Sequence, residues 1–312
     1  MEKILVVRLG AMGDILHTMP AVQRLRDLWP KAEITWVLEP KWMPLLHGTA
    51  LADHLLPLDR RSPLSVWIAA KWLRRWQPDL AIDFQGLIKS ALTALVSGAG
   101  RRIGFSDTQL REREAGVFYT EAFTAQSAHV VARNLELVSS LGIAQSNATL
   151  RGPAGFPEGK LPEGDFVLAA PYAGWKSKQW PIERYIEIGK RLDQTFGYKL
   201  VLNVMPANEI PPSEFLWRHE SGIDGLIHAT RRARAVLGLD SGPLHLAALL
   251  GKPGVALFGP TDPARNGPYG ASIRVLRTYG AVTTYKRGTE LDDSMLQLDT
   301  DRVWTSLEEV LR

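Results

Sequence analysis

The chain contains no cysteine. Disulfides, thiolate metal sites and cysteine nucleophiles are therefore excluded. It also lacks any stretch of about 18 uninterrupted apolar residues, so no membrane-spanning helix is expected. The start, MEKILVV, runs directly into a short strand-like segment without the longer apolar core and cleavage site of a secretory signal. A cytoplasmic protein is the expectation. The 27 Gly and 20 Pro follow no fixed period, which excludes collagen-like repeats, and no internal repeat or low-complexity tract is evident. No His/Asp/Glu cluster has metal-ligand spacing, and no G-x-S-x-G elbow points to a serine hydrolase.

What is present fits a soluble two-domain protein. The 312 residues are 45% hydrophobic and 22% charged. Net charge is only +4, with no basic tract of the kind that marks nucleic-acid binding. The mild positive balance favours acidic partners: phosphates, sugar acids or anionic lipid heads. Ten tryptophans, several beside arginines, point to an amphipathic or lipid-facing surface.

Short apolar runs alternate with helix-length amphipathic stretches. Strands are expected at residues 3–7, 34–38, 54–58, 80–84 and 102–105. Helices are expected at 18–28, with Pro20 in the first turn, and at 66–76, 87–96 and 130–141. The Gly- and Pro-rich segment GPAGFPEGKLPEG then interrupts the pattern. Alternation resumes with strands at 166–170, 199–204, 235–239, 254–258 and 273–276, and helices at 181–196, 224–234, 243–250 and 303–311. This is the pattern of two parallel-sheet α/β domains. We place the boundaries at residues 1–152, a linker at 153–164, a second domain at 165–300, and a helix at 301–312 packing back toward the first domain. Ligands of such sheets bind beyond the carboxyl ends of the strands, and the interdomain cleft is the expected active site.

Polar and glycine residues collect at those strand ends. Arg8-Leu9-Gly10-Ala11-Met12-Gly13-Asp14 follows the first strand. It is neither a dinucleotide fingerprint nor a Walker loop, which disfavours a nicotinamide-dependent dehydrogenase. Asp14 can deprotonate a hydroxyl or cap the next helix, and the residues alone allow both. Asp240-Ser241-Gly242-Pro243-Leu244-His245 sits at a strand-to-helix turn whose N–H groups suit a diphosphate; it can equally be an ordinary capped turn. Gly259-Pro260-Thr261-Asp262-Pro263 follows the next strand. Lys178 precedes the helix opened by Pro181, where a cation can neutralise a leaving diphosphate or simply be solvated. Asp83-Phe84-Gln85-Gly86-Leu87-Ile88-Lys89-Ser90 is another strand end, and Arg60, Arg61, Arg111, Arg113 and Arg133 are scattered through the first half.

Taken in order along the chain, these pieces resemble the ADP-heptose:lipopolysaccharide heptosyltransferases. They are Met12-Gly13-Asp14, the Asp83–Ala91 block, Lys178-Gln179-Trp180-Pro181, the Asp240–His245 turn and Gly259–Pro263. The resemblance spans nearly the whole chain and implies a GT-B fold: two Rossmann-like domains facing a cleft. The Gln85–Ser90 block and His17-Thr18-Met19-Pro20 are more similar to heptosyltransferase I than to the second-heptose enzyme.

The resemblance implies an inverting, metal-independent glycosyltransferase without a cofactor. Its donor would be ADP-L-glycero-D-manno-heptose. Its acceptor would be Kdo2-lipid A, met at the inner leaflet of the inner membrane, with no nucleic-acid partner. Asp14 matches the family's general base, and Lys178 a position that supports the departing ADP. Glu209, Asp240, Ser241, Gly242 and His245 match donor-binding positions. Arg60, Arg61, Arg111, Gln85 and Lys89 match the acceptor side. Two features depart from the pattern. Ala173-Gly174 stands where relatives offer hydroxyls to the donor, and residues 283–294 lack the cysteines that many relatives carry. Rival readings are another GT-B transferase, a nucleotide-sugar epimerase, or a non-catalytic protein that binds anionic glycolipid.

Overall fold

The computed structural model of the chain describes residues 1–142 and 150–312. It divides into two compact units, Met1–Pro153 and Ala154–Arg312.

The first unit runs β1 (Lys3–Val7), α1 (Met12–Leu28), β2 (Glu33–Leu38), β3 (His54–Pro57), α2 (Pro63–Trp76), β4 (Leu80–Asp83), α3 (Ile88–Val96), β5 (Arg101–Phe105), β6 (Glu121–Phe123) and α4 (Val130–Ser139). Its six strands form a parallel sheet in the order β3-β2-β1-β4-β5-β6. β1 and β4 are apolar almost throughout and buried apart from Lys3 at the start of β1, as expected of central parallel strands covered on both faces. Helices α1 and α4 pack on one another. α2 and α3 give Ala69, Leu73, Trp76 and Ala94 to a core shared with Leu5, Val7, Val37 and Ala81 of the sheet.

The second unit runs β7 (Phe166–Ala169), α5 (Ile182–Phe196), β8 (Lys199–Val204), β9 (Leu216–Glu220), α6 (Ile223–Arg232), β10 (Ala235–Leu239), α7 (Gly242–Leu249), β11 (Gly254–Phe258), α8 (Pro263–Asn266), β12 (Ile273–Arg277), α9 (Asp293–Leu296) and α10 (Thr300–Leu311). Its sheet order is β12-β11-β10-β7-β8-β9, again parallel. Counted from the start of each unit, both sheets read 3-2-1-4-5-6. The sequence shows no repeat, yet the topology occurs twice. In each unit the strand order reverses between the first and fourth strands, where ligands of such folds bind.

Four expectations are corrected. First, α1 begins at Met12, not residue 18, so Pro20 lies well inside the helix and Asp14 sits in its first turn. The Asp14 carboxylate accepts from the Ala11 N–H at 3.3 Å, which stabilises the earlier start. Second, β6 and β9 were not foreseen, being short edge strands with largely uncovered side chains.

Third, the expected linker is strapped to the second unit. Glu158 accepts from the N–H groups of Gly222 (2.7 Å) and Gly225 (3.3 Å), Trp217 donates to the Lys160 carbonyl, and Arg232 donates to that of Pro162. Fourth, the final helix spends its apolar face on its own unit. Val303, Leu307 and Leu311 complete the core formed by α5, β10 and β11, where the sequence reading sent them toward the first domain. Among the described residues no helix is long and apolar enough to cross a membrane.

Candidate active site

In the first unit the reversal point lies between β1 and β4. The chain leaves β1 at Arg8, which is buried. An arginine there needs acceptors, and it finds two: the Phe84 carbonyl just after β4, and Asp14, with Nη2 to Oδ1 at 2.9 Å. The Asp14 side chain remains 46% exposed. Asp14 thus caps its helix while still presenting a carboxylate to solvent, so capping does not exclude the other alternative.

The loop after β4 is tied to the loop after β1. Gln85 Oε1 accepts from the Leu9 N–H at 2.8 Å. Asp83 is fully buried, and each of its oxygens is used. Oδ1 takes the Gln85 and Gly86 N–H groups at 2.8 and 3.3 Å. Oδ2 takes the hydroxyls of Ser90 and Tyr119, both at 2.7 Å. Burial pushes the Asp83 carboxyl above its ordinary range, and these hydrogen bonds reverse the push only in part. Burial and the Asp83 charge also push the Tyr119 phenol up.

Glu39, after β2, completes this corner. Its N–H donates to the Leu9 carbonyl at 2.9 Å, and its carboxylate pairs with Arg60 and with Lys41 at 3.5 Å. Burial raises the Glu39 carboxyl, but the Arg60 and Lys41 cations outweigh that and hold it low. Gly10 is required here. A Cβ at this position would lie 2.8 Å from the Trp42 indole nitrogen and 3.7 Å from Glu39 Oε2. Arg8, Asp14, Gln85, Glu39 and Arg60 therefore meet around residues 8–10. Arg61 is exposed, its N–H held by Asp59, and Lys89 and Arg111 are exposed on α3 and a later loop. Among the described residues nothing ties these three to the same corner.

In the second unit the reversal point lies between β7 and β10. Asp240, directly after β10, is buried. Its Oδ2 takes Lys178 Nζ at 2.6 Å and the Thr261 hydroxyl at 2.7 Å; Oδ1 lies 3.6 Å from His245 Nε2. Burial alone would raise this carboxyl. His245, the Lys178 ammonium and the Thr261 hydroxyl overcome it and hold Asp240 well below the usual carboxylate range. Lys178 also lies 4.2 Å from the centre of the Trp175 ring, which fixes the ammonium from a second side.

Ser241 occupies the first capping position of α7 without a side-chain cap bond, and its buried hydroxyl oxygen has no hydrogen-bond partner among the described residues. Together with the unpaired N–H groups expected at a helix start, it forms a polar surface suited to an anion. Glu209 lies further along this edge, exposed, after β8; its carbonyl accepts from the Tyr172 hydroxyl.

Sequence reasoning singled out none of Arg8, Glu39, Tyr119 and Trp175 as site residues. Arg8 lay inside a noted motif and carried the one usable signal, a charge placed directly after four apolar strand residues. Thr261 lay inside a noted motif but was not singled out as a site residue.

Two parallel sheets of identical order, each with charged side chains gathered at its reversal point, have the architecture of the GT-B class. A solved structure of E. coli heptosyltransferase WaaC with ADP-2-deoxy-2-fluoro heptose superposes with a TM-score of 0.77 at 24% identity, covering 98% of this chain and 99% of that one. Lipopolysaccharide heptosyltransferase 1 of Pseudomonas aeruginosa is 29% identical over 86% of this chain and 82% of its own length. The E. coli K12 enzyme of the same name is 25% identical over 88% of this chain and 93% of its own length. The model of glycosyltransferase family 9 (heptosyltransferase) matches residues 66–293, and the chain belongs to that family.

Proposed function

We propose that this heptosyltransferase moves L-glycero-D-manno-heptose from ADP-heptose to a Kdo sugar of the lipid A inner core, working at the inner leaflet of the inner membrane. The observation that carries the reading is the Arg8–Asp14 pair at the first reversal point. A buried guanidinium holds one oxygen of a carboxylate whose side chain stays open to solvent.

In the proposed reaction an acceptor hydroxyl gives its proton to Asp14 as its oxygen bonds to the anomeric carbon. The bond from that carbon to the diphosphate oxygen breaks, and ADP departs with the electron pair. A single displacement of this kind inverts the anomeric centre. Lys178, the Ser241 hydroxyl and the N–H groups at Gly242 take the charge that grows on the diphosphate. Glu209 would hold the adenosine ribose. Asp240 lies under Lys178 and His245 and acts by aiming them, since a saturated, buried carboxylate offers no donor to a phosphate. Gln85 and Arg60 would contact the acceptor, with Arg61, Lys89 and Arg111 reaching it from exposed positions. With these cations and N–H groups in place, the displacement needs neither metal nor cofactor.

The test is ADP release from ADP-heptose with and without Kdo2-lipid A, in buffer containing a chelator. Acceptor-dependent release is expected. Binding without turnover would support the non-catalytic glycolipid-binding reading, and faster turnover of another nucleotide sugar would reassign the donor.

A further inference from the structure

Helix α2 is built inside out. Ala69, Leu73 and Trp76 face the core, as they should. The opposite face carries Leu64, Trp67 and Ile68, which at spacings of three and four share one side of the helix. They are 65%, 59% and 50% exposed. One turn further on, the same face carries Lys71, Arg74 and Arg75, all exposed. An outward helix face in water is ordinarily polar. Here it is apolar for a little over one turn and then cationic. The neighbouring helix α3 does the same on a smaller scale, with Ile88, Leu92 and Leu95 each more than a third exposed.

The outward charges of α2, Lys71, Arg74 and Arg75, are all cations. Of the acids around the helix, Glu39 is paired with Arg60, Glu121 with Arg101, Asp79 accepts from the N–H groups of Glu2 and Lys3, and Asp83 is buried; Asp59, just before the helix, is exposed. Lys71 lies 5.0 Å from the centre of the exposed Trp67 ring, so the cation and the indole form one amphipathic unit.

We propose that the outward face of α2, extended by that of α3, seats the enzyme on an anionic lipid bilayer. The proposal rests on the lipid-linked acceptor proposed above. Leu64, Trp67 and Ile68 would enter the boundary between headgroups and acyl chains, while Lys71, Arg74 and Arg75 lie among phosphates. A second copy of the chain fits less well. Two such faces meeting about a two-fold axis would bring two copies of the Lys71, Arg74 and Arg75 cluster into one interface, with Asp59 as the exposed acid beside the helix.

The test is flotation with vesicles of phosphatidylcholine, with and without phosphatidylglycerol. Wild type should bind the anionic vesicles, more weakly as salt rises. A Leu64→Ser, Trp67→Ser, Ile68→Ser variant should lose about tenfold or more in binding. It should keep its melting temperature, because the replaced side chains point away from the core. A Lys71→Gln, Arg74→Gln, Arg75→Gln variant should lose the preference for phosphatidylglycerol. The apolar variant should retain wild-type kcat on a deacylated, water-soluble acceptor and lose efficiency only on acceptor embedded in vesicles. Vesicle binding equal to wild type in the apolar variant would overturn the proposal. So would a wild-type dimer that the same substitutions dissociate, with no vesicle binding. Vesicle binding lost as expected, but no turnover by wild type on either form of acceptor, would uphold the docking face and overturn the proposed reaction.

Discussion

Asp83 and Asp240 stand at matching places in two sheets of the same order, at the carboxyl ends of β4 and β10. Both are buried, and both have each oxygen engaged. Their surroundings are opposite. Asp83 is held by two hydroxyls and two backbone N–H groups and is shifted up; Asp240 is held by an ammonium, an imidazole and one hydroxyl and is shifted down. The same topological position has been put to two uses. In the first unit the buried acid shapes the loop carrying Gln85, and the exposed carboxylate comes from Asp14 on the opposite side of the reversal point. In the second unit the buried acid anchors cations. In the proposed reaction the first pocket takes the proton and the second the negative charge.

The sharpest way to break this contrast is at Asp14. Asp14→Ala should lower kcat by about 10²–10⁴-fold, the usual loss for a general base, with ADP-heptose affinity unchanged by calorimetry. A variant with the wild-type rate would leave Asp14 as a helix cap and nothing more.

Lys178→Ala tests the other pocket and should show two effects. Losing a positioned charge at the diphosphate should cost about 10²–10³-fold, mainly in kcat. It also strands Asp240 as a buried charge. Breaking such a pair from one side costs about 3–5 kcal/mol, so the melting temperature should fall. Lys178→Ala with Asp240→Asn should recover much of the stability and none of the rate. Recovery of both together would mean that Lys178 acts only as a structural partner.

The smallest effect concerns pH and stability, and its sign differs between the two acids. Asp83 is raised in the folded state. Its contribution is fully present below the ordinary carboxylate value of about 4 and is lost as pH rises through the folded value. Asp240 is lowered. Its contribution is present above about 4 and is lost as pH falls toward the folded value. A tenfold change in a group's acidity between folded and unfolded chains is worth about 1.4 kcal/mol. Urea unfolding across the acid range should therefore show Asp240→Asn flattening the loss of stability on acidification. Asp83→Asn should instead remove a gain of stability on acidification. Asparagine can still accept from the Gln85 and Gly86 N–H groups, so this variant should fold. Equal slopes in the two variants would erase the distinction between the two acids.

Much of this was legible in the sequence, for identifiable reasons. Buried parallel strands such as residues 3–7 and 254–258 are apolar runs that announce themselves, and the loops after them carry the glycines and charges that strand ends need. The Lys178–Asp240 pairing, 62 positions apart, was not foreseen: the resemblance put both residues on the donor side, but no local pattern links the two. Arg8 escaped notice because an arginine is ordinarily solvated, and its burial depends on two acceptors that arrive from β4 and α1. β9 escaped because it lies at a sheet edge, where Arg218 and Glu220 are exposed and only His219 is buried. The linker composition did read as loop, but composition carries no information about Glu158 reaching Gly222 and Gly225.

The placement of α10 has a bearing on how the chain is made. The first unit has all six strands once Phe123 has been synthesised, and its helices are complete by Ser139. The core of the second unit lacks Val303, Leu307 and Leu311 until α10 emerges, although its β10 and β11 were finished some fifty residues earlier, by Phe258. At typical translation rates of about 5–20 residues per second, the first unit is whole roughly ten seconds or more before the second can close. While those last fifty residues are made, the apolar face of β10 and β11 is covered by α5 without α10, and the ribosome-bound chain exposes apolar surface that can aggregate.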